Sequence, residues 1–149
     1  MTPLKRILLA EDSERDIELT LAALDEYNLA DEVVVARDGA EALDYLHQRG
    51  KFASHPNGLP VVVLLDLKMP KVDGLEVLRQ IKDDSRLKQV PVVMVTSSRE
   101  EQDLVRSYER GVNGYVVKPV DFQKFADAIK QIGYFWALIN EPPPGVAKR

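Results

Sequence analysis

Short, almost wholly apolar runs at residues 7–10, 33–36, 61–65, 92–95 and 115–117 alternate with stretches in which apolar positions recur every three or four residues. The runs are too uniformly apolar for a half-exposed sheet, and they fit parallel strands covered on both faces. The stretches between them have the period of amphipathic helices. In the last one, Phe122, Phe125, Ala126, Ile129, Ile132, Gly133 and Trp136 share a stripe. Asp38-Gly-Ala-Glu41, Asp73-Gly-Leu-Glu76 and Ser98-Arg-Glu-Glu101 each set a capping side chain three residues before a Glu, which predicts three helix starts. Consecutive parallel strands need crossovers, and right-handed crossovers distribute helices over both faces of the sheet. The expected fold is a doubly wound α/β sandwich of five strand–helix units.

Two stretches leave this rhythm. Residues 50–60 form a polar loop with Gly and Pro, longer than most helix-to-strand connections. Residues 141–149, Glu-Pro-Pro-Pro-Gly-Val-Ala-Lys-Arg, cannot continue a helix and read as a flexible tail after a domain spanning 1–140, with no output domain.

Composition narrows the function classes. The 149 residues include no Cys, which excludes disulfides and thiolate metal sites. A net charge of −4 gives no reason to expect a nucleic-acid surface. No apolar run approaches the roughly 18–20 residues that span a bilayer, so no membrane partner is expected and a soluble cytoplasmic protein is the default. His47 and His55 lack metal-ligand spacing and read as surface residues.

Function in an open α/β sheet gathers at the carboxyl ends of the strands. Here those ends carry Glu11 and Asp12, then Asp66, Thr96 and Lys118. The first turn has carboxylates where a nucleotide-binding turn needs glycines, so a phosphate cradle is excluded. If the first and third strands are neighbours, about 4.8 Å apart, their terminal carboxylates crowd one another. Two such charges at about 4 Å repel by about 4 kcal/mol even at an effective dielectric near 20. A hard divalent cation relieves this, and Mg²⁺ suits one to three carboxylates plus phosphate oxygens. Asp66 facing that cation, Lys118 and a hydroxyl could attack phosphorus and form an acyl phosphate.

The runs Ile7-Leu-Leu-Ala-Glu-Asp-Ser13, Leu64-Leu-Asp-Leu-Lys-Met-Pro-Lys-Val-Asp-Gly74, Val95-Thr-Ser97 and Gly114-Tyr-Val-Val-Lys-Pro119 resemble the receiver domain of two-component response regulators over about residues 5–138. The resemblance implies a flavodoxin-like strand order 2-1-3-4-5. It implies Asp66 as phosphoacceptor, and Glu11, Asp12, Asp66 and the backbone carbonyl of Lys68 around Mg²⁺. Thr96 and Tyr115 would be the switch pair, Lys118 the phosphate partner, and Lys118–Pro119 a cis peptide. Ile17-Glu-Leu-Thr-Leu21, Asp38-Gly-Ala-Glu-Ala-Leu-Asp-Tyr-Leu46, Ser107-Tyr108-Glu-Arg-Gly111 and Tyr134-Phe135-Trp136 further resemble stand-alone regulators paired with phytochrome-type histidine kinases. That likeness implies a sensor histidine kinase as donor and a downstream phosphotransfer or target protein. It also implies a homodimer through the fourth helix, fifth strand and fifth helix, with Tyr108, Tyr134, Phe135 and Trp136 as interface candidates.

Two other readings stay open on the residues alone. A Mg²⁺-dependent aspartyl-phosphate phosphatase would place a second Asp two residues after the nucleophile, where this chain has Lys68. An unphosphorylated receiver-like scaffold would have no use for a carboxylate cluster that costs stability.

Overall fold

The computed structural model describes residues 5–54 and 58–146. Its elements are β1 (Ile7–Ala10), α1 (Glu14–Asp25), β2 (Val33–Ala36), α2 (Gly39–His47), β3 (Val62–Leu65), α3 (Gly74–Asp83), β4 (Val92–Thr96), α4 (Glu101–Glu109), β5 (Gly114–Val117) and α5 (Phe122–Gly133). All five strands are parallel, in the order β2-β1-β3-β4-β5. This is the flavodoxin-like arrangement expected from the resemblance.

Strand alternation divides the core in two. Leu8, Ala10, Val63, Leu65, Val92 and Met94 point to one face, where they pack with Leu43 and Leu46 of α2 and Leu78 and Ile81 of α3. Ile7, Leu9, Val62, Leu64, Val93 and Val95 point to the other, against Ile17 and Leu24 of α1 and Phe125 and Ile129 of α5. Successive side chains of a strand leave by opposite faces, so two buried faces leave no position for a polar residue until the strand ends. The polar side chains therefore collect at the carboxyl rim.

Asp38 and Asp73 cap α2 and α3 as the sequence predicts, accepting the N–H groups of Glu41 and Glu76 at 2.7 and 2.9 Å. Ser98 does not cap α4. The residue before that helix is Glu100, which makes no side-chain cap, while Ser98 Oγ donates to the Asp103 carboxylate at 2.6 Å. The same Oγ accepts the Glu100 N–H at 3.3 Å, so it serves the turn before the helix and not the first-turn amides of α4. Phe122 also departs from its predicted stripe, at 63% exposure on the first residue of α5.

The C-terminal region differs most from expectation. After Gly133 the helix widens into a π-helical segment, Tyr134–Ile139, closed by an Asn140 N–H to Phe135 carbonyl bond of 2.7 Å. Ala137 is buried, and its carbonyl accepts from Arg6 Nη1 at 2.8 Å. The stretch read as a free tail folds back: Val146 is buried and bridges in parallel to Leu59, whose N–H donates to the Gly145 carbonyl at 3.4 Å. In the long loop, Gly50–Phe52 forms a 3₁₀ turn that buries Phe52 edge-on to Tyr45 at 5.1 Å. His47 is half-buried, and His55 lies outside the described residues. No cis peptide occurs among the described residues, so Lys118–Pro119 is trans, the isomer generally favoured at X–Pro bonds.

Candidate functional site: an acidic cup and its lysine

Strand pairing continues past the strand ends and so positions the rim residues through their backbones. The Glu11 N–H donates to the Ala36 carbonyl at 2.9 Å, and the Asp66 N–H to the Ala10 carbonyl at 3.0 Å. Lys118 N–H donates to the Thr96 carbonyl at 2.7 Å. Neighbouring strands thus deliver Glu11, Asp12 and Asp66 to one point, where a carboxylate oxygen from each lies within 4.8 Å of the others. Glu11 and Asp66 are buried, and Asp12 is exposed.

The floor under Asp66 depends on glycine. A Cβ on Gly74 would lie 2.3 Å from the Asp66 carbonyl oxygen, so only a hydrogen there lets the start of α3 approach the acceptor loop. The Gly74 N–H closes that loop onto the Leu67 carbonyl at 2.8 Å. Between them Lys71 has a φ of 67°, beside a Val72 N–H to Pro70 carbonyl bond of 2.8 Å, a tight γ-turn.

Lys118 enters the cup from the end of β5. Its ammonium bonds Glu11 Oε1, Asp16 Oδ2 at 2.9 Å and Asp66 Oδ2 at 3.3 Å. Burial works against its charge, but the bonds to Glu11 and Asp16 and the field of Asp66 outweigh burial and hold its pKa above the ordinary lysine value. One ammonium does not balance the carboxylates around it. Burial first, and then the neighbouring Asp66, push the Glu11 carboxyl up to about 8 against the pull of Lys118. Glu11 Oε2 meanwhile accepts the Asp12 and Ser13 N–H groups at 3.0 and 3.4 Å, which fixes its direction. The donor set is three hard oxygens converging on one point with unrelieved negative charge. It fits a small divalent cation.

At the other side of the cup, Thr96 is fully buried and its Oγ1 accepts the Ser98 N–H at 3.3 Å. The half-buried Tyr115 donates its hydroxyl to the Ser98 carbonyl at 3.2 Å. Burial, chiefly, raises the Tyr115 pKa, so the phenol remains a donor. Lys68 extends outward, 71% exposed, with Nζ 3.9 Å from the buried Asp103 carboxylate.

The sequence-predicted residues Glu11, Asp12, Asp66, Thr96 and Lys118 therefore meet at one rim, with Tyr115 one residue away through Ser98. The interface candidates do not join them. Tyr108 is exposed on α4, while Tyr134 meets Tyr27 in a tilted ring contact at 5.3 Å beyond the end of α5. Phe135 is exposed and meets the half-buried Trp136 edge-on at 4.9 Å. Sequence reasoning missed two groups. Asp16 reads as an ordinary first-turn helix acid, and nothing in its local sequence signals the contact with Lys118. Asp103 reads as a surface residue, although only Ser98 and Ser107 among its near neighbours signal a polar pocket.

Comparison with known proteins places this geometry. Response regulator Rcp1 of Synechocystis is 40% identical over 134 residues, covering 90% of this chain and 90% of Rcp1. A crystal structure of the Mn²⁺-bound form of Rcp1 superposes with a TM-score of 0.85 at 38% identity, covering 92% and 97% of the two chains. The crystal structure of the phosphorylated cyanobacterial phytochrome response regulator RcpA gives a TM-score of 0.87 at 40% identity, with 95% and 99% covered. The bacteriophytochrome response regulator AtBRR is 64% identical, with a TM-score of 0.73 and 93% and 99% covered. The family described as the response regulator receiver domain matches residues 7–130, and this chain belongs to it, as a relative of the stand-alone regulators associated with phytochromes.

Proposed function

We propose that this receiver domain takes a phosphoryl group from a phosphohistidine of a sensor histidine kinase onto Asp66, with Mg²⁺ held by Glu11, Asp12, Asp66 and the backbone carbonyl of Lys68. The observation that carries the reading is the convergence of the Glu11, Asp12 and Asp66 carboxylates at the carboxyl rim, with the Lys118 ammonium bonded to Glu11 and Asp66. An Asp66 oxygen attacks phosphorus while the histidine nitrogen leaves with its electron pair and is then reprotonated. Mg²⁺ would supply charge neutralisation at the transferring oxygens. The residues of the chain do the rest. Glu11 is held in direction by two backbone amides, Lys118 presents an ammonium beside Asp66, and Thr96 offers a hydroxyl from the adjacent strand end.

The switch that follows uses Thr96 and Tyr115. Thr96 turns its hydroxyl toward the phosphoryl group, gives up the Ser98 amide, and lets Tyr115 move inward. The signal leaves by contact with other proteins in the cytoplasm, through a homodimer along α4, β5 and α5 and through a downstream phosphotransfer or target protein. Water then slowly hydrolyses the acyl phosphate. The kinase is of phytochrome type, which the likeness to Rcp1, RcpA and AtBRR supports. A phosphatase reading gains nothing from the structure, since Lys68 extends into solvent toward Asp103.

Incubation with acetyl phosphate and Mg²⁺, followed by intact-mass and peptide mapping, tests the acceptor. The wild-type chain gains one phosphoryl group and Asp66→Asn gains none. Equal labelling of Asp66→Asn, or an unlabelled wild type, would overturn the assignment. Phosphotransfer profiling against purified histidine kinases, red-light-regulated ones included, tests the pairing.

A further inference from the structure

We propose that Asp16 is a positioning residue for this reaction: from the first turn of α1 it holds the Lys118 ammonium on the α1 side of the cup, in competition with a phosphoryl group on Asp66. The inference rests on the phosphoacceptor reading of Asp66.

The geometry singles Asp16 out. An ammonium has three N–H donors, and Lys118 directs them at three carboxylates. The bond to Asp16 is 2.9 Å and that to Asp66 is 3.3 Å, so the lysine sits closer to α1 than to the acceptor. Glu11 and Asp66 belong to the convergent trio, whereas Asp16 does not. Asp16 is therefore the partner of Lys118 that is neither acceptor nor candidate metal ligand. It is also firmly placed: its N–H donates to Ser13 Oγ at 3.3 Å, which makes Ser13 the cap of α1. A carboxylate in a first helical turn is ordinarily accounted for by the helix dipole. This one is directed across the cup onto Lys118, with its side chain only 20% exposed.

A phosphoryl group brings three acceptor oxygens to the position of Asp66. Each donor Lys118 gives them is withdrawn from a present partner. Asp16 thus sets how completely Lys118 engages the acyl phosphate, and so how long it survives. Its loss is by hydrolysis: water oxygen bonds phosphorus, the Asp66 oxygen leaves with the electron pair, and carboxylate and inorganic phosphate result. An ammonium fully committed to the phosphoryl oxygens draws off the charge that builds on them as water attacks, and so speeds this loss. One partly held by Asp16 does so less.

The test is the lifetime of the acetyl-phosphate-labelled chain after donor removal, followed by intact mass. Asp16→Asn keeps the size and hydrogen-bonding shape of the side chain and removes its charge. It is expected to shorten the lifetime by about 3- to 10-fold, the scale of one partly exposed charge-assisted bond. Asp16→Glu restores the charge and returns the lifetime toward wild type. In a Lys118→Ala background Asp16→Asn adds nothing, which a merely structural role in α1 would not produce. An unchanged lifetime in Asp16→Asn, or an equal effect with and without Lys118, overturns the proposal while leaving the acceptor assignment standing. A wild-type chain that takes no label removes both, so the two failures are distinguishable.

Discussion

The two sides of the rim are held by different physics. Around the ends of β1 and β3, Glu11, Asp16 and Asp66 share one ammonium with Asp12 close by, and burial, then Asp66, push the Glu11 carboxyl up to about 8. Beyond β4 the bonds are single and mostly neutral. They pass through Ser98, whose N–H reaches Thr96, whose carbonyl accepts from Tyr115, and whose hydroxyl reaches Asp103. Neutral hydrogen bonds of this kind are each worth about 0.5–1.5 kcal/mol net. A change of charge in the cup is worth more than any one of them. In the proposed switch, energy enters where charges are crowded and is read out where bonds are weak, with the Thr96 side chain as the joint. Its carbonyl is fixed by the Lys118 N–H at 2.7 Å, whereas its hydroxyl is held only by the longer 3.3 Å bond from the Ser98 amide.

The sharpest way to break the comparison is through the backbone beneath the cup. Gly74→Ala puts a methyl group 2.3 Å from the Asp66 carbonyl oxygen, a backbone atom with no side-chain freedom to yield. Urea unfolding should show a loss of about 3 kcal/mol, and labelling of Asp66 should fall with it. Near-wild-type stability would mean that the acceptor loop can move and that the cup is less rigidly built than the bonds around it indicate.

A change of charge in the cup should act in the opposite sense. Asp66→Asn removes one of the crowded carboxylates and should raise stability in EDTA by about 1–2 kcal/mol, a gain that shrinks as Mg²⁺ is added. The pH dependence follows from Glu11. Its folded pKa, about 8, lies above the ordinary glutamate value, so the folded chain binds more protons than the unfolded one between those values. Metal-free stability therefore falls as pH rises through that window. Asp66 is among the causes that raise Glu11, so Asp66→Asn should flatten the slope. A destabilised Asp66→Asn, or one with an unchanged slope, would show that the carboxylates are not in conflict.

These contrasts also explain what could be read in the sequence. The strands were legible because both faces of each are buried, which leaves unbroken apolar runs. The polar residues that end them were legible for the same reason, and Glu11, Asp12, Asp66, Thr96 and Lys118 all follow from asking what interrupts a strand. Asp16 was not, because a helix acid in a first turn has a local explanation and its contact with Lys118 spans 102 residues. Ser98 was misassigned because its spacing to Glu101 imitates a capping box, while its true partner Asp103 is set by the packing of α4. The return of residues 145 and 146 onto Leu59 was hidden by the three prolines before it. Proline forbids a helix but says nothing about where an extended chain next finds an apolar neighbour. In each miss a local rule gave a sufficient answer and a tertiary contact overrode it.

The smallest of these effects tests whether the two sides are independent at rest. Ser98→Ala removes the 2.6 Å donor to Asp103, a carboxylate left 4% exposed with the Lys68 ammonium at 3.9 Å as its remaining cation. It also takes away the acceptor of the Glu100 N–H at 3.3 Å, while the Ser98 amide and carbonyl still serve Thr96 and Tyr115. The cost should be about 1 kcal/mol, seen in the urea midpoint and in faster amide exchange at residues 98–100. Combined with Asp66→Asn in the unphosphorylated chain, the two changes should add within about 0.5 kcal/mol, since no direct bond joins Ser98 to Asp66. A Ser98→Ala cost that changes once Asp66 is phosphorylated, measured against phosphorylated wild type, would mean that coupling is created by the phosphoryl group through Thr96. Strong non-additivity at rest would mean that the cup already pulls on the switch before any phosphate arrives.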